Sequence, residues 1–260
     1  MHILIIGCGW VGTYTAARFL ADGHRVWGTT TTQEKSARLA AMGIQPVIAD
    51  FDQDRAAMPA TALTTLTFDL VIISVPITRK DTLQLASARF TNLICFLDAL
   101  HFSQSVFFGS VGIYPKVSAT IDEDTFAAKD LDQKLLLGET LLRKRYAALN
   151  ILRLGGLFGL DRTLSKYFQG KICEIGYQPA NFVHVADIDG VIRALLVSQA
   201  QGKTYNMVCP QHPLKKDVIA ASAAKYGYAL PAGYTDTDQT AKIVSPGRLI
   251  HELGYQFIYP

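Results

Sequence analysis

The segment HILIIGCGWVG, residues 2–12, constrains the fold most. An apolar run long enough for one buried strand meets Gly7, Gly9 and Gly12 in G-x-G-x-x-G spacing, and a helical stretch, VGTYTAARFLADG, begins inside the motif. Each glycine has a physical task in a strand–turn–helix: one permits the tight turn, one lets the backbone approach a pyrophosphate, and one lets the helix pack closely on the strand. A helix N-terminus there offers unpaired N–H groups and a positive dipole end to phosphates. The motif therefore implies dinucleotide binding, with Gly7, Gly9, Trp10, Val11 and Gly12 as the pyrophosphate loop.

The alternation continues. A second strand (HRVWGT) is followed by a helix (QEKSARLAAMG), a third strand (IQPVIAD), and then strands FDLVIISVP, SVFFGS and LNILRLGG separated by the helical stretches ASARFTNLICFLDAL and LDQKLLLGETLLRKRYA. Gly23 and Gly43 stand where helix C-caps are expected. The strands are nearly continuous apolar runs, as parallel strands covered on both faces should be. Six such strands with right-handed crossovers predict an α/β fold, a Rossmann-type doubly wound parallel sheet. After about Gly155 the sequence becomes glycine-broken and loop-rich, with helices near ADIDGVIRALLVSQA and KKDVIAASAAKYG. The expected organisation is a dinucleotide-binding domain over 1–155 and a smaller substrate lobe over 156–260, partly interwoven with the first.

Composition narrows the class. Among 260 residues, 49% are hydrophobic and 18% charged, which excludes a disordered chain. The 25 basic and 22 acidic residues leave a net charge of only +3, and apart from Arg143, Lys144 and Arg145 the cations are scattered, so no nucleic-acid footprint is present. Cys8, Cys95, Cys173 and Cys209 lie far apart without metal-like spacing and read as reduced thiols of a cytoplasmic protein. The N-terminal apolar run is too short for a signal peptide, and no segment approaches the roughly 20 apolar residues of a membrane span. A small molecule, rather than nucleic acid or membrane, is the expected partner.

The end of the second strand bears on which dinucleotide is bound. An NAD site places an acid there for the ribose hydroxyls, yet the sequence reads Gly28, Thr29, Thr30, Thr31, Thr32, with no acid before Glu34. Hydroxyls of Thr29, Thr30 and Thr31, with Lys35 or Arg38 nearby as a positive charge, suit a 2′-phosphate, which favours NADP over NAD, although no arginine follows the strand directly. The same threonines also suit capping of the following helix. Asp50, ending the third strand, is placed to accept from an adenine amino group or to cap a turn. Ser74, Val75 and Pro76 end the fourth strand on the crevice side where open α/β sheets bind ligands.

GCGWVG, GSVGIY, LRLGGLFG, NFVHVADIDGVIRALL, YNMVCPQ and the closing LGYQFIYP together run nearly end to end, and with them the chain resembles the extended, atypical short-chain dehydrogenase/reductase superfamily, in its NAD-dependent epimerase/dehydratase family. The resemblance implies a catalytic tyrosine, activated by a lysine four residues on, beside a substrate-orienting serine. The serine corresponds to Ser110; its alternative is a strand-end hydroxyl bonding its own backbone. Aligning on Glu139 puts Leu131 at the tyrosine position and Leu135 at the lysine position, and no tyrosine occurs between Pro115 and Arg145. Lys134 is one residue off, about 100° around a helix. The chain's one Tyr-x-x-x-Lys, Tyr167 to Lys171 in YFQGK, falls after the sixth strand and reads as a decoy.

Tyr114 is the phenol nearest Ser110 in sequence and the candidate replacement acid. Arg162 is the candidate for an anionic substrate group, with Tyr167 and His184 as further substrate contacts; His184 also suits an interior position, and Asp187 suits an N-cap. No metal site is expected. The reading is an NAD(P)-binding oxidoreductase or epimerase acting on a small hydroxyl or carbonyl compound, among which the resemblance includes sugar-derived ones, and lacking the Tyr-x-x-x-Lys pair. The alternative is a non-catalytic NAD(P)-binding sensor or partner protein. The superfamily's habit of pairing through helices leaves a homodimer open.

Overall fold

The computed structural model describes residues 1–53 and 58–259. Seven strands form the central sheet: β1 (His2–Ile6), β2 (Arg25–Thr30), β3 (Gln45–Ile48), β4 (Thr67–Ile73), β5 (His101–Ser110), β6 (Asn150–Leu154) and β7 (Thr204–Met207). Their order is β7-β6-β5-β4-β1-β2-β3, and the sheet is parallel, with Ile5 opposite Gly28 on one side of β1 and Ile72 on the other. The chain starts at the sheet centre and steps outward one way through β2 and β3, then returns to the other side with β4. That reversal is the switch point at which open α/β sheets bind ligands.

The expected six strands are present, and β7 is a seventh that the sequence reading did not contain. TYNM is short, and its Asn206 interrupts the apolar run that marks a buried parallel strand, yet Asn206 is fully buried. Its side chain is satisfied instead by hydrogen bonds from the Tyr114 hydroxyl and to the Ser245 carbonyl.

Helices α1 (Trp10–Ala21), α2 (Gln33–Ala41), α3 (Leu83–Asp98), α4 (Gln133–Arg145), α5 (Val185–Ser198) and α6 (Lys215–Tyr226) follow the predicted stretches. Gly23 and Gly43 both adopt the left-handed conformation expected just past a helix end, at φ +80° and +82°. The core under the sheet gathers Leu4, Ile6, Val71 and Ile73 with Phe90, Leu93 and Leu97 of α3.

Two compact units share the chain, one comprising Met1–Ile113, Asp132–Leu152 and Leu195–Thr204, the other Tyr114–Leu131, Arg153–Ala194 and Tyr205–Pro260. In the second unit three short parallel ladders fasten distant segments: Phe182 to His184 beside Gly156 to Phe158, Gly233 beside Ile172, and Lys242 to Val244 beside Ala119 to Ile121.

One buried cation organises the loops of the first unit. Arg89, the single basic residue of α3, donates from Nε and Nη2 to Asp52 at 2.6 and 2.9 Å, and from Nη1 to Asp81 at 2.8 Å and to the Pro76 carbonyl at 2.8 Å. Hydrogen bonding from Arg89 holds the Asp81 carboxyl at about 2. The sign is that of a depressed carboxylate: its stabilising contribution is full above the ordinary carboxylate range and is lost as pH falls through about 2. Removing one partner of a buried pair costs about 3–5 kcal/mol. Arg89→Met should lower unfolding free energy by that order at neutral pH in urea titrations, and the gap to the parent should narrow as acid protonates the carboxylates.

Candidate functional site

In the first unit the glycine loop has the geometry that its spacing predicts. Gly7 has φ +81°, and a Cβ placed on it would stand 2.7 Å from the Ser74 carbonyl oxygen. A Cβ on Gly12 would stand 2.9 Å from Ile5 Cγ2, so that glycine sets how closely α1 lies on β1. At Gly9 the nearest atom to such a carbon is the Gly7 carbonyl oxygen at 3.9 Å, leaving open space over the turn. Gly9 is also the N-cap of α1, and no side chain caps that helix. A helix start with no side-chain cap, with space over Gly9, leaves backbone N–H groups available to an anion.

The threonines after β2 divide their work. Thr29 is buried, and its Oγ1 accepts from the Gly7 N–H at 2.8 Å while its carbonyl accepts from the Cys8 N–H at 2.9 Å. It fastens the glycine loop to β2. Thr30 is buried, whereas Thr31 and Lys35 are exposed. Thr32 caps α2 by accepting from the Lys35 N–H, which is the capping alternative for this threonine run. Arg38 faces Glu34 across a turn of the same helix. Asp50 accepts from the Asp52 N–H and from Gln53 Nε2, which makes it the cap of a local turn. The Ser74 N–H donates to the Ile6 carbonyl, Val75 is buried, and the Pro76 carbonyl is held by Arg89.

Further along the same sheet edge, Ser110 ends β5 and its Oγ accepts from the Gly112 N–H at 3.0 Å. A Cβ on Gly112 would lie 3.1 Å from that oxygen and 3.7 Å from Leu135 Cδ1, so an aliphatic side chain of α4 borders the serine turn. Lys134 turns elsewhere: its Nζ donates to the carbonyls of Thr78, Arg79 and Asp81 at 2.9–3.1 Å. The ammonium clamps the loop after β4.

In the second unit Tyr114 is buried, 3% exposed. Its hydroxyl donates to Asn206 Oδ1 at 2.6 Å and accepts from Arg153 Nη1 at 2.8 Å, and burial raises its pKa. Both capacities of the phenol are committed within the interior.

Arg162 and Tyr167 come together on a cavity of about 330 Å³ that is also lined by Phe158, Thr163, Phe182 and Lys225. Reciprocal backbone hydrogen bonds between Gly159 and Arg162 close a tight hairpin at its rim. His184 is not among the lining residues. Its ring lies against Phe158 at 5.1 Å and Tyr259 at 3.7 Å, its Nδ1 accepts from the Ala186 N–H, and burial lowers its pKa, so it is a neutral packing histidine with the proton on Nε2. The Tyr167–Lys171 pair makes no phenol contact: Lys171 Nζ donates to the Tyr167 backbone carbonyl at 3.1 Å, and Tyr167 lies in a short 3-10 turn. Asp187 is structural but not an N-cap. It sits in the first turn of α5, wholly buried, and accepts from the Tyr255 hydroxyl and the Ile258 N–H.

Sequence reasoning missed Thr163 and Lys225 on the cavity, which belong to no motif. It also missed Arg89, although a lone cation in an apolar helix was a usable signal.

A model of the family "Ketopantoate reductase PanE/ApbA" matches residues 3–96. The chain is 28% identical over 273 residues to Protein YeeZ of Escherichia coli (strain K12), covering 99% of this chain and 96% of that protein. Among solved structures it resembles a putative epimerase from Burkholderia cenocepacia J2315 (TM-score 0.81, 20% identity, 100% of this chain and 93% of that one). It also resembles the UDP-glucose-4-epimerase from Stenotrophomonas maltophila with bound NAD and formylated UDP-arabinopyranose (TM-score 0.77, 17% identity, 100% and 94%). The fold is thus that of NAD-binding epimerases and reductases.

The Thr29 contact yields a test of the loop's architecture. Thr29→Val keeps the side-chain shape and leaves the Gly7 N–H without its acceptor, at a cost of about 1–3 kcal/mol. Guanidinium unfolding should show that loss, and Thr29→Ser, which keeps the oxygen, should recover most of it.

Proposed function

We propose that the chain is an NAD(P)-dependent oxidoreductase or epimerase-like enzyme that acts on a small hydroxyl or carbonyl compound. The glycine loop carries this reading. Gly7 and Gly12 are placed where a side chain would strike Ser74 and Ile5, whereas Gly9 faces open space over an uncapped helix start. A fold alone has no need of glycine at position 9; a pyrophosphate does.

In this reading Gly9, Trp10, Val11 and Gly12 hold the pyrophosphate, and Ser74, Val75 and Pro76 border the rest of the nucleotide. A nicotinamide nucleotide supplies hydride chemistry when bound. The absence of an acid between Gly28 and Glu34, with Thr31 and Lys35 exposed at that strand end, favours NADP over NAD.

The chain's own chemistry departs from the resembled family. Leu131 and Leu135 stand at the positions of its tyrosine and lysine, and Lys134 is engaged by three carbonyls. Tyr114 is an acid only if its hydroxyl leaves Asn206 and Arg153. Ser110, with its hydroxyl hydrogen not required by the Gly112 N–H, is the group we assign to orient the substrate oxygen. Missing general acid catalysis costs about 100- to 10,000-fold, so turnover should be slow.

Titration with NADPH and NADH, following energy transfer from tryptophan to the reduced nicotinamide, tests the cofactor. Trp10, in the loop, is the reporter; Trp27 is packed in the core against Phe68. NADPH should bind more tightly than NADH. Gly9 has φ −84° and open space at its Cβ position, so Gly9→Ala should keep the melting temperature and weaken nucleotide binding about tenfold or more. Unaltered binding in that variant would remove the pyrophosphate from the loop. Ser110→Ala with undiminished kcat would remove the serine from its role.

A further inference from the structure

We propose that the cavity of the second unit binds an organic acid, with a carboxylate between Arg162 and Lys225 and an apolar body against Phe158, Phe182 and Val218. The walls are mostly aliphatic and aromatic, and the lining includes both cations and no Asp or Glu. Arg162 is half-buried and Lys225 exposed, so the two cations give the cavity a positive potential that solvent partly screens and that no carboxylate of the lining opposes. Arg162 is fixed by its place in the hairpin, where Gly159 and Arg162 exchange backbone hydrogen bonds at 2.9 and 3.1 Å. Gly159 itself lies directly on the His184 ring: a Cβ there would come within 2.7 Å of Cδ2, so the hairpin has no room to sink.

A second observation points the same way. Thr163 lines the cavity and is 7% exposed, and its Oγ1 is buried with no hydrogen-bond partner among the described residues. A buried hydroxyl without a partner is costly, and proteins seldom keep one except where a ligand or water supplies the missing bond.

Size and lining select the class. At about 330 Å³ the cavity is at the small end of the range of about 300–1,000 Å³ for small-molecule sites. A sugar would present a hydroxyl on nearly every carbon, most of them to side chains that cannot hydrogen-bond, which is unfavourable. A singly charged acid with a hydrocarbon or aromatic body matches both the donors and the walls. This narrows the substrate of the reaction proposed above to a carboxylate-bearing compound, and it rests on that reading only in calling the acid a substrate.

Binding is measured calorimetrically on the nucleotide-free full chain, with 3-phenylpropionate and its uncharged analogue 3-phenylpropionamide as probes and inorganic phosphate as competitor. The carboxylate should bind saturably and about tenfold or more tighter than the amide. That preference should shrink with added salt. Arg162→Met and Lys225→Met should each reduce it, with melting temperatures unchanged; should either variant fail to fold, the acid-to-amide ratio on the parent chain still decides. Equal affinity for acid and amide, no binding of either, or full displacement by equimolar phosphate would each overturn the assignment. Acid binding without any nucleotide binding would leave the site standing and remove the enzyme; the reverse would keep the enzyme and remove the acid site.

Discussion

The loops at the carboxyl edge of the sheet depend on two cations, one buried, Arg89, and one half-buried, Lys134. Arg89 binds the segment after β3 through Asp52 and the segment after β4 through Asp81 and the Pro76 carbonyl. Lys134, from α4, gathers three carbonyls of the same β4 loop. In a parallel sheet the strands end where the ligand site begins, and irregular backbone there has no ladder to satisfy it. Charged donors on two helices supply what a ladder would. The bordering residues Ser74, Val75 and Pro76 therefore owe their position to α3 and α4 as much as to their own strand.

The second unit uses a buried polar chain for a related purpose. Arg153 donates to the Tyr114 hydroxyl, that hydroxyl donates to Asn206, and the Asn206 N–H donates to Glu123, whose other oxygen lies 3.5 Å from Arg248 Nε. These groups come from segments far apart in sequence, and each would be costly alone in the interior. Joined, they hold the three segments of the second unit in one arrangement. The conservation of hydrogen-bonding capacity explains why a phenol near a serine in sequence is not thereby an acid: its lone pair and its proton are already assigned.

Much of the fold was legible because parallel sheets repeat one simple signal. Apolar runs bounded by glycine located β1 to β6 and the helices between them, and the glycine loop located the switch point. β7 was hidden because Asn206 breaks the apolar run, and its burial is made tolerable only by Tyr114, Ser245 and Glu123, which no local pattern announces. At the candidate site the same division holds. The places of Gly7 and Gly12 follow from spacing, since each is a backbone requirement. Thr29 was read as a ligand contact because a hydroxyl at a strand end is equally suited to a phosphate and to a neighbouring N–H, and only the fold reveals that Gly7 takes it. Arg162 and Tyr167 were found as residues, but the cavity that unites them with Thr163 and Lys225 is a product of tertiary packing.

The placement of lysine in α4 bears on how such a site can change its chemistry. Helical positions 134 and 135 differ by about 100° in direction. Position 134 carries the ammonium and clamps the β4 loop, while position 135 carries an aliphatic side chain bordering Ser110's turn. A lysine at 135 would bring a charge to that border, where Leu135 now offers only hydrocarbon, and no nearby phenol of α4 would gain from it. Without a phenol beside it, such a charge would only add a desolvation cost. The glycine loop is independent of that helix, because Gly7 and Gly12 answer to Ser74 and Ile5 rather than to α4.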